Sequence, residues 1–508
     1  MENSLKKLIN GNDVRGVAIE GVKDEAVNLT PKVALKLGLG FSRWLSDKTS
    51  KDIKDLKIAI GRDSRISGDN LKDSLSKGIL SMGAEIFDCS LASTPAMFMT
   101  TVLEGYNFDG AIMVTASHLP FNRNGFKFFT KDGGIEKEDL KQIVALAAEE
   151  INLVSLAKGE LKEIDFISEY SKVLVEKIRE GVDSKINKDE PLKGFKVILD
   201  AGNGAGGFFS DKVLKPLGAD TKGSQFLNPD GRFPNHIPNP ENKEAMDSIR
   251  KVVLQNKADL GIIFDTDVDR AAVVDSLGNE INRNKLIALI SSIILEEHPG
   301  TTVVTDSITS EGLKEFIEKK CCGKHHRFKR GYKNVINEAI RLNSEGEESC
   351  IAIETSGHAA LKENYFLDDG AYLVAKILIK MARMKEESGK NLSELIEDLK
   401  EAKVSTEYRM KIKCENFKEY GNDILEDLKK YCELKKGWSF EVPNYEGVRV
   451  KCDGENGGGW FLVRLSLHDP VIPINIETDT KEGENFIVSK LYDLFKKYDC
   501  LDIDALQK

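Results

Sequence analysis

Three carboxylates stand at alternate positions in Asp265-Thr266-Asp267-Val268-Asp269-Arg270. At that spacing they repel one another unless a positive charge lies between them, and a hard divalent cation such as magnesium suits oxygen donors. An EF-hand loop is excluded: Arg270 falls where that loop needs glycine, and Ser276 where it needs the bidentate glutamate. A second polar loop, Thr115-Ala116-Ser117-His118, is followed by Asn124-Gly125-Phe126-Lys127. A hydroxyl beside an imidazole, with a lysine ten residues on, suits a nucleophile or phosphoryl carrier with cationic neighbours. Ser and Asn in such a loop also cap ordinary turns. In Glu354-Thr355-Ser356-Gly357-His358, a carboxylate, hydroxyls and an imidazole suit hydrogen bonding to sugar hydroxyls. Arg464 and Ser466, with His468 beyond them, could hold a phosphate through charge-assisted hydrogen bonds. The turn Gly202-Asn203-Gly204-Ala205-Gly206-Gly207 fits G-x-G-x-x-G with Asp220 downstream, the pattern of a dinucleotide site. No nicotinamide-domain pattern surrounds it, and a tight strand-to-helix turn explains the same glycines.

The elements that must position these loops repeat along the chain. From Lys57, from Lys196 and again from Thr301 the sequence reads as strand, polar loop and amphipathic helix. Each copy is followed by a small residue, an apolar strand and one of the polar loops, ending near Ser117, Asp265 and Glu354. The last hundred or so residues carry Arg464 in a segment with more strand character and no copy of the upstream repeat. Polar loops at strand ends are where α/β sheets present ligands. The predicted fold is therefore three related α/β domains with mixed sheets plus a divergent α+β C-terminal domain around a central cleft. The expected boundaries are 1–158, 159–281, 282–402 and 403–508. A length of 508 residues accommodates that number of domains.

Composition narrows the function classes. Hydrophobic residues at 41% and charged ones at 31% describe a globular chain, and a net charge of −10 argues against nucleic acid or an anionic membrane as partner. The N-terminal MENSLKKLINGND has no signal-peptide core, and the longest apolar stretch, Leu286 to Leu295, is too short to span a bilayer. The eight cysteines show no CxxC or paired spacing, so reduced thiols in a cytoplasmic protein are expected.

Taken together, the loops resemble those of the α-D-phosphohexomutases, the family of phosphoglucomutases, phosphomannomutases and phosphoglucosamine mutases. The resemblance spans nearly the whole chain, with the motifs in order. It implies that Ser117 is the phosphorylated residue, with Lys127 as general acid/base and His118, Arg15 and Arg270 around the phosphoryl group. Arg15 lies in Asp13-Val14-Arg15-Gly16, which is similar to the family's N-terminal motif. It further implies Mg2+ held by Ser117, Asp265, Asp267 and Asp269. Substrate would be bound by Glu354, Ser356, His358, Lys329, Arg464, Ser466 and His468. The activity implied is reversible phosphoryl transfer between O1 and O6 of a hexose phosphate. It passes through a hexose 1,6-bisphosphate, which also serves as activator. Hexose phosphates are then the partners, and the chain a monomer or small homo-oligomer.

Departures from the family pattern concentrate late in the chain. Arg464-Leu465-Ser466-Leu467-His468-Asp469-Pro470 stands where the family usually reads Arg-x-Ser-Gly-Thr-Glu-Pro, and the arginine usual a few residues later is absent. Thr266 and Val268 replace small glycines, and Lys329-Arg330-Gly331-Tyr332 stands for Lys-x-Gly-His. Three rival readings stand beside phosphoglucomutase/phosphomannomutase. They are a phosphoglucosamine mutase, a haloacid-dehalogenase-type phosphatase using Asp265, and a non-catalytic sugar-phosphate binder.

Overall fold

The computed structural model describes residues 2–150, 159–389, 391–466 and 469–507. The expected boundary at 158 and the candidate ligand His468 lie outside the described residues. The chain divides into two compact units, Met1–Ile293 with Ser356–Leu395, and Ile294–Thr355 with Ile396–Lys508.

The first unit holds two mixed sheets. In the larger, the strands Lys57–Arg62, Glu85–Leu91, Gly110–Val114 and Leu161–Glu163 run parallel. Asp13–Val17 and Arg123–Thr130 add antiparallel at the Gly110–Val114 side. Every residue of Gly110–Val114 is buried, as expected of a central strand covered on both faces. The covering helix Pro31–Thr49 starts with the Thr30 side chain accepting from the Val33 amide and proline in its first turn, and ends at Ser50 in left-handed backbone. Its apolar face, including Leu37, Phe41 and Leu45, closes on Ile58, Ile60 and Ile112 in one core.

The smaller sheet orders Glu280–Ile281, Ala271–Asp275, Leu260–Phe264 and Val197–Asp200, the last pair parallel and the rest antiparallel. A separate core of Ile198, Met246, Ile249, Val253 and Ile263 lies under the helix Lys243–Asn256. The Ala359–Leu361/Leu367–Asp368 hairpin and the helix Gly370–Glu387 also belong to this unit.

In the second unit, Lys324–Arg327, Thr302–Thr305 and Ile351–Ile353 lie side by side in parallel. A five-stranded antiparallel sheet orders Val404–Lys411, Val471–Thr478, Gly459–Val463, Val448–Cys452 and Trp438–Phe440. The helices Phe417–Glu433 and Lys481–Phe495 bury Ile424, Leu428, Ile487 and Leu491 against Met410, Val450, Phe461 and Ile474. This is the divergent α+β element expected at the C-terminus.

The second repeat departs most from its pattern; in the third, the helix Glu311–Glu315 runs into a π-helical turn, Phe316–Lys320. The helix expected after the Val197–Asp200 strand is a π-helical turn, Phe209–Leu214, running into the 3-10 turn Lys215–Leu217. Pro216 has no amide to donate and cannot continue an α-helix there. The preceding glycines serve close backbone approach. A Cβ on Gly204 would lie 2.6 Å from the Thr266 carbonyl oxygen, and one on Gly207 2.3 Å from that of Leu227. Crowding by the chain's own backbone therefore accounts for the G-x-G-x-x-G spacing. Among the described residues no helix is long and apolar enough to cross a membrane.

Candidate active site

The first unit gathers most of the candidate catalytic residues around the Ser117 hydroxyl. Ser117 follows the Gly110–Val114 strand and takes a left-handed backbone, φ 51°, uncommon for a residue with a side chain. Its amide donates to Thr115 Oγ1 at 2.8 Å, and the Thr115 hydroxyl donates in turn to Asp63 Oδ2 at 2.6 Å. The Ser117 hydroxyl lies 3.1 Å from Asp265 Oδ2, 3.2 Å from Arg270 Nη2 and 3.3 Å from His118 Nδ1. Arg15, opposite Gly125 in the adjoining antiparallel pair, donates to the Thr115 carbonyl and pairs with Asp13 at 2.8 Å.

Leu260–Phe264 and Ala271–Asp275 form an antiparallel pair whose connecting loop carries the three aspartates. Asp265, Asp267 and Asp269 are almost wholly buried, and one carboxylate oxygen from each lies within 4.8 Å of the others. Lys127 Nζ sits 3.2 Å from Asp267 Oδ2 and also pairs with Asp269. Arg270 forks onto Asp265 Oδ2 through Nε at 3.0 Å and Nη2 at 2.8 Å. Thr94 holds the loop from a third direction, its amide donating to the Asp267 carbonyl at 2.8 Å and its hydroxyl to Asp267 Oδ2 at 2.5 Å.

Charge states follow from this packing. Burial works against a charged Lys127, yet Asp267 and Asp269 hold its ammonium well above the usual lysine value. Burial likewise opposes ionised Asp269, but Lys127, His358 and Arg270 keep its carboxyl below the usual range. Burial, then the neighbouring Asp269, pushes the Asp265 carboxyl up. The Arg270 charge, with burial second, holds the His118 imidazole well below its ordinary value and so neutral.

The donor set fits a hard divalent cation. Asp267 Oδ1 and Asp269 Oδ1 are buried with no hydrogen-bond partner among the described residues, and oxygen atoms left in that state are costly unless an ion meets them.

The loop read as one sugar-binding element divides between the units. Ser356 and His358 belong to the first, where Ser356 Oγ is 2.8 Å from His358 Nδ1. His358 Nε2 lies 3.9 Å from Asp269 and 3.8 Å from Asp368, and its backbone bridges Arg270.

Glu354 belongs to the second unit, 3% exposed, its Oε1 accepting from the Gly331 amide at 2.6 Å. Arg464 in the same unit is buried, with Nη1 3.9 Å from Glu446 Oε1 and Nε lacking a hydrogen-bond partner among the described residues. Glu446 also accepts from the Arg330 amide at 3.2 Å and from the Ser307 hydroxyl. Gly447 makes this possible: its φ is 60°, and a Cβ there would lie 2.2 Å from the Val463 carbonyl oxygen. Burial, then the Glu354 charge, raises the Asp306 carboxyl to about 7, and Asp306 Oδ2 accepts from Thr355 Oγ1 at 2.7 Å. Ser466 has its amide on the Val471 carbonyl at 2.9 Å, and Lys329 is exposed beside the Phe328 ring. An anion meeting Arg464 Nε is the ligand this arrangement can take.

Sequence reasoning missed Thr94, Asp63, Arg65, Ser307, Asp306 and Glu446. Asp63 and Arg65 were visible only as the polar loop after the first repeat's strand, and Glu446 carries no motif at all.

Comparison with known proteins identifies the family. The chain matches phosphoglucomutase/phosphomannomutase alpha/beta/alpha domain I over residues 6–153, domain II over 172–278 and domain III over 282–402. It is 32% identical over 482 residues to a phosphoglucomutase/phosphomannomutase of Thermococcus kodakarensis, covering 94% of this chain and 96% of that one. A phosphomannomutase/phosphoglucomutase of Pseudomonas putida is 27% identical over 426 residues, covering 84% of each chain. In fold, the chain is similar to a crystal structure of a phosphoglucomutase/phosphomannomutase family protein from Burkholderia thailandensis. The TM-score is 0.77 at 24% identity, covering 97% of this chain and 98% of that one. The chain is thus a phosphohexomutase, belonging to the α-D-phosphohexomutase family and, within it, to the phosphoglucomutase/phosphomannomutase type.

Proposed function

We propose that this protein interconverts the 1- and 6-phosphates of glucose or mannose through a phosphorylated Ser117 and a hexose 1,6-bisphosphate. The observation that carries the reading is the Ser117 hydroxyl, within 3.3 Å of an acid, a guanidinium and a neutral imidazole at a strand end. Phospho-Ser117 transfers its phosphoryl group to the free hydroxyl of the bound monophosphate. The P–Oγ bond breaks, a P–O bond to the sugar forms, and the hydroxyl proton ends on Ser117 Oγ. Lys127, held protonated, is the group that exchanges that proton, and the reverse transfer uses it in the opposite sense. Arg270 and Arg15 offset charge on the phosphoryl oxygens. His118, neutral, hydrogen-bonds Ser117 without adding charge. Asp265, Asp267 and Asp269, with Ser117, are the residues that would hold Mg2+, which supplies charge neutralisation to the transferring group.

Ser356, His358 and Glu354 are read as sugar ligands, and Arg464, Ser466, His468 and Lys329 as ligands of the phosphate that does not react. The four segments 1–158, 159–281, 282–402 and 403–508 each contribute one of these loops. The protein is read as cytoplasmic, with a hexose 1,6-bisphosphate as activator.

A coupled assay with the 1-phosphates of glucose, mannose and glucosamine, primed with a trace of bisphosphate, tests the reading. Turnover of the first two and an acid-stable phosphoprotein are expected in the wild type, and both should vanish in Ser117→Ala. Wild-type turnover in that variant would overturn it.

A further inference from the structure

We propose that His298, Glu348 and Cys350, in the second unit, form a binding site for a thiophilic divalent cation such as Zn2+. An imidazole nitrogen, a carboxylate oxygen and a thiol sulfur, one from each residue, lie within 4.8 Å of one another. Zinc bonds of about 2.0–2.3 Å in tetrahedral geometry put ligand atoms roughly 3.3–3.8 Å apart, so the donors need close by at most about 1–1.5 Å. The two that would move have room to do so, His298 being half-buried and Glu348 exposed, while Cys350 is the buried anchor.

The backbone around the three donors is already organised by one residue. Thr301, 1% exposed, donates its amide to the His298 carbonyl at 3.2 Å. Its hydroxyl accepts from the Cys350 amide at 3.1 Å and lies 3.3 Å from the Glu348 carbonyl. A hydrogen bond from the Thr302 amide to the Glu348 carbonyl, 2.9 Å, completes the frame. Glu348 and Cys350 stand two apart, just before the Ile351–Ile353 strand.

The donor types choose the metal. A thiolate with an imidazole selects zinc over magnesium, which prefers oxygen and retains its waters. Binding releases the thiol proton to solvent, and the thiolate and carboxylate together balance the 2+ charge. Three protein ligands leave the fourth position to water. The donors stand at the N-terminal ends of Thr302–Thr305 and Ile351–Ile353, whose other ends lead into Asp306 and Glu354. The cation would therefore fasten the segment after the helix Asn284–Glu297 to the start of a strand, and takes no part in phosphoryl transfer.

Cobalt titration of the purified full chain, freed of metal by chelation, tests the site. One equivalent of Co2+ should give a thiolate-to-cobalt charge-transfer band and tetrahedral d–d absorption, both displaced by Zn2+. The band should disappear in Cys350→Ser and persist in Asp267→Asn. Affinity should fall about tenfold or more in His298→Gln and in Thr301→Val. A missing thiolate band, or one that survives in Cys350→Ser, overturns the proposal. Circular dichroism checks that Cys350→Ser folds. If it does not, His298→Gln, altered at a half-buried position, decides the matter, and undiminished affinity there counts against the site.

Discussion

Ser117 is held in its left-handed conformation by a guanidinium with no direct hold on the hydroxyl. Arg65, 2% exposed, donates to the carbonyls of Ser117, Leu119 at 2.6 Å, Pro120 at 2.8 Å and Arg123 at 2.9 Å. Asp63, beside it at 3.3 Å, fixes Thr115 on the other flank of the serine. Arg65 is thus a positioning residue for the Ser117 loop. Lysine keeps the charge but cannot reach four carbonyls from one ammonium. In Arg65→Lys, steady-state kinetics should show kcat down about 100-fold, the typical cost of an ångström-scale misplacement, with KM nearly unchanged. A fall in KM-derived affinity with kcat intact would contradict the role. This function was illegible in Asp63-Ser64-Arg65, because Arg65 acts through backbone carbonyls that every residue possesses. The gathering of Ser117, Lys127 and the aspartates was easier to anticipate, because the chemistry they offer resides in their own side chains. In the aspartate loop, Asp267→Asn leaves Lys127 with one carboxylate fewer and removes a proposed cation ligand. Turnover should fall at least tenfold and should not return with excess Mg2+.

At the scale of elements, the helix Gly370–Glu387 begins at a carboxylate with a testable charge state. Asp369 Oδ1 accepts from the Tyr372 amide at 2.9 Å, Tyr170 Oη donates from 2.7 Å and Asn364 Nδ2 from 3.1 Å. Burial outweighs these bonds and raises its carboxyl from 3.8 to about 6. Between those values the folded chain keeps a proton that the unfolded chain has released, so stability falls as pH rises through the window. For this group the loss amounts to about 3 kcal/mol. The substitution Asp369→Asn preserves the cap and removes the titration. Denaturant unfolding at a series of pH values should therefore show wild type losing stability relative to Asp369→Asn from pH 4 to pH 6, and a flat difference would refute it. Periodicity matches the structure in regular elements: Val404–Lys411 alternates in burial along most of its length, as its sequence does. It failed at Phe209–Leu217, where apolar spacing reads as one helix but Pro216 and the glycine-crowded turn before it leave π and 3-10 turns.

Across the whole molecule, the repeat revealed how many related segments to expect but not which of them fold together. Ser356–Leu395 comes from the third repeat and joins the first two in one compact unit. The cause is packing that no local pattern encodes. Gly181 in the helix Phe166–Val182 stands where a Cβ would lie 2.4 Å from Ile379, and Tyr170 of that helix reaches Asp369. Each unit has its own apolar core, so calorimetry should resolve two transitions rather than one two-state step. The two proposed cation sites make those transitions assignable, because all three loop aspartates lie in the first unit and His298, Glu348 and Cys350 in the second. A ligand that binds only the native state stabilises it by RT ln(1 + [L]/Kd), about 2.7 kcal/mol at a hundredfold excess over Kd. For units of this size that moves a midpoint by several degrees. Mg2+ should therefore raise one transition and Zn2+ the other, with the zinc shift lost in Cys350→Ser and the magnesium shift lost in Asp267→Asn. A single transition moved equally by both ions would mean that the chain unfolds as one cooperative body.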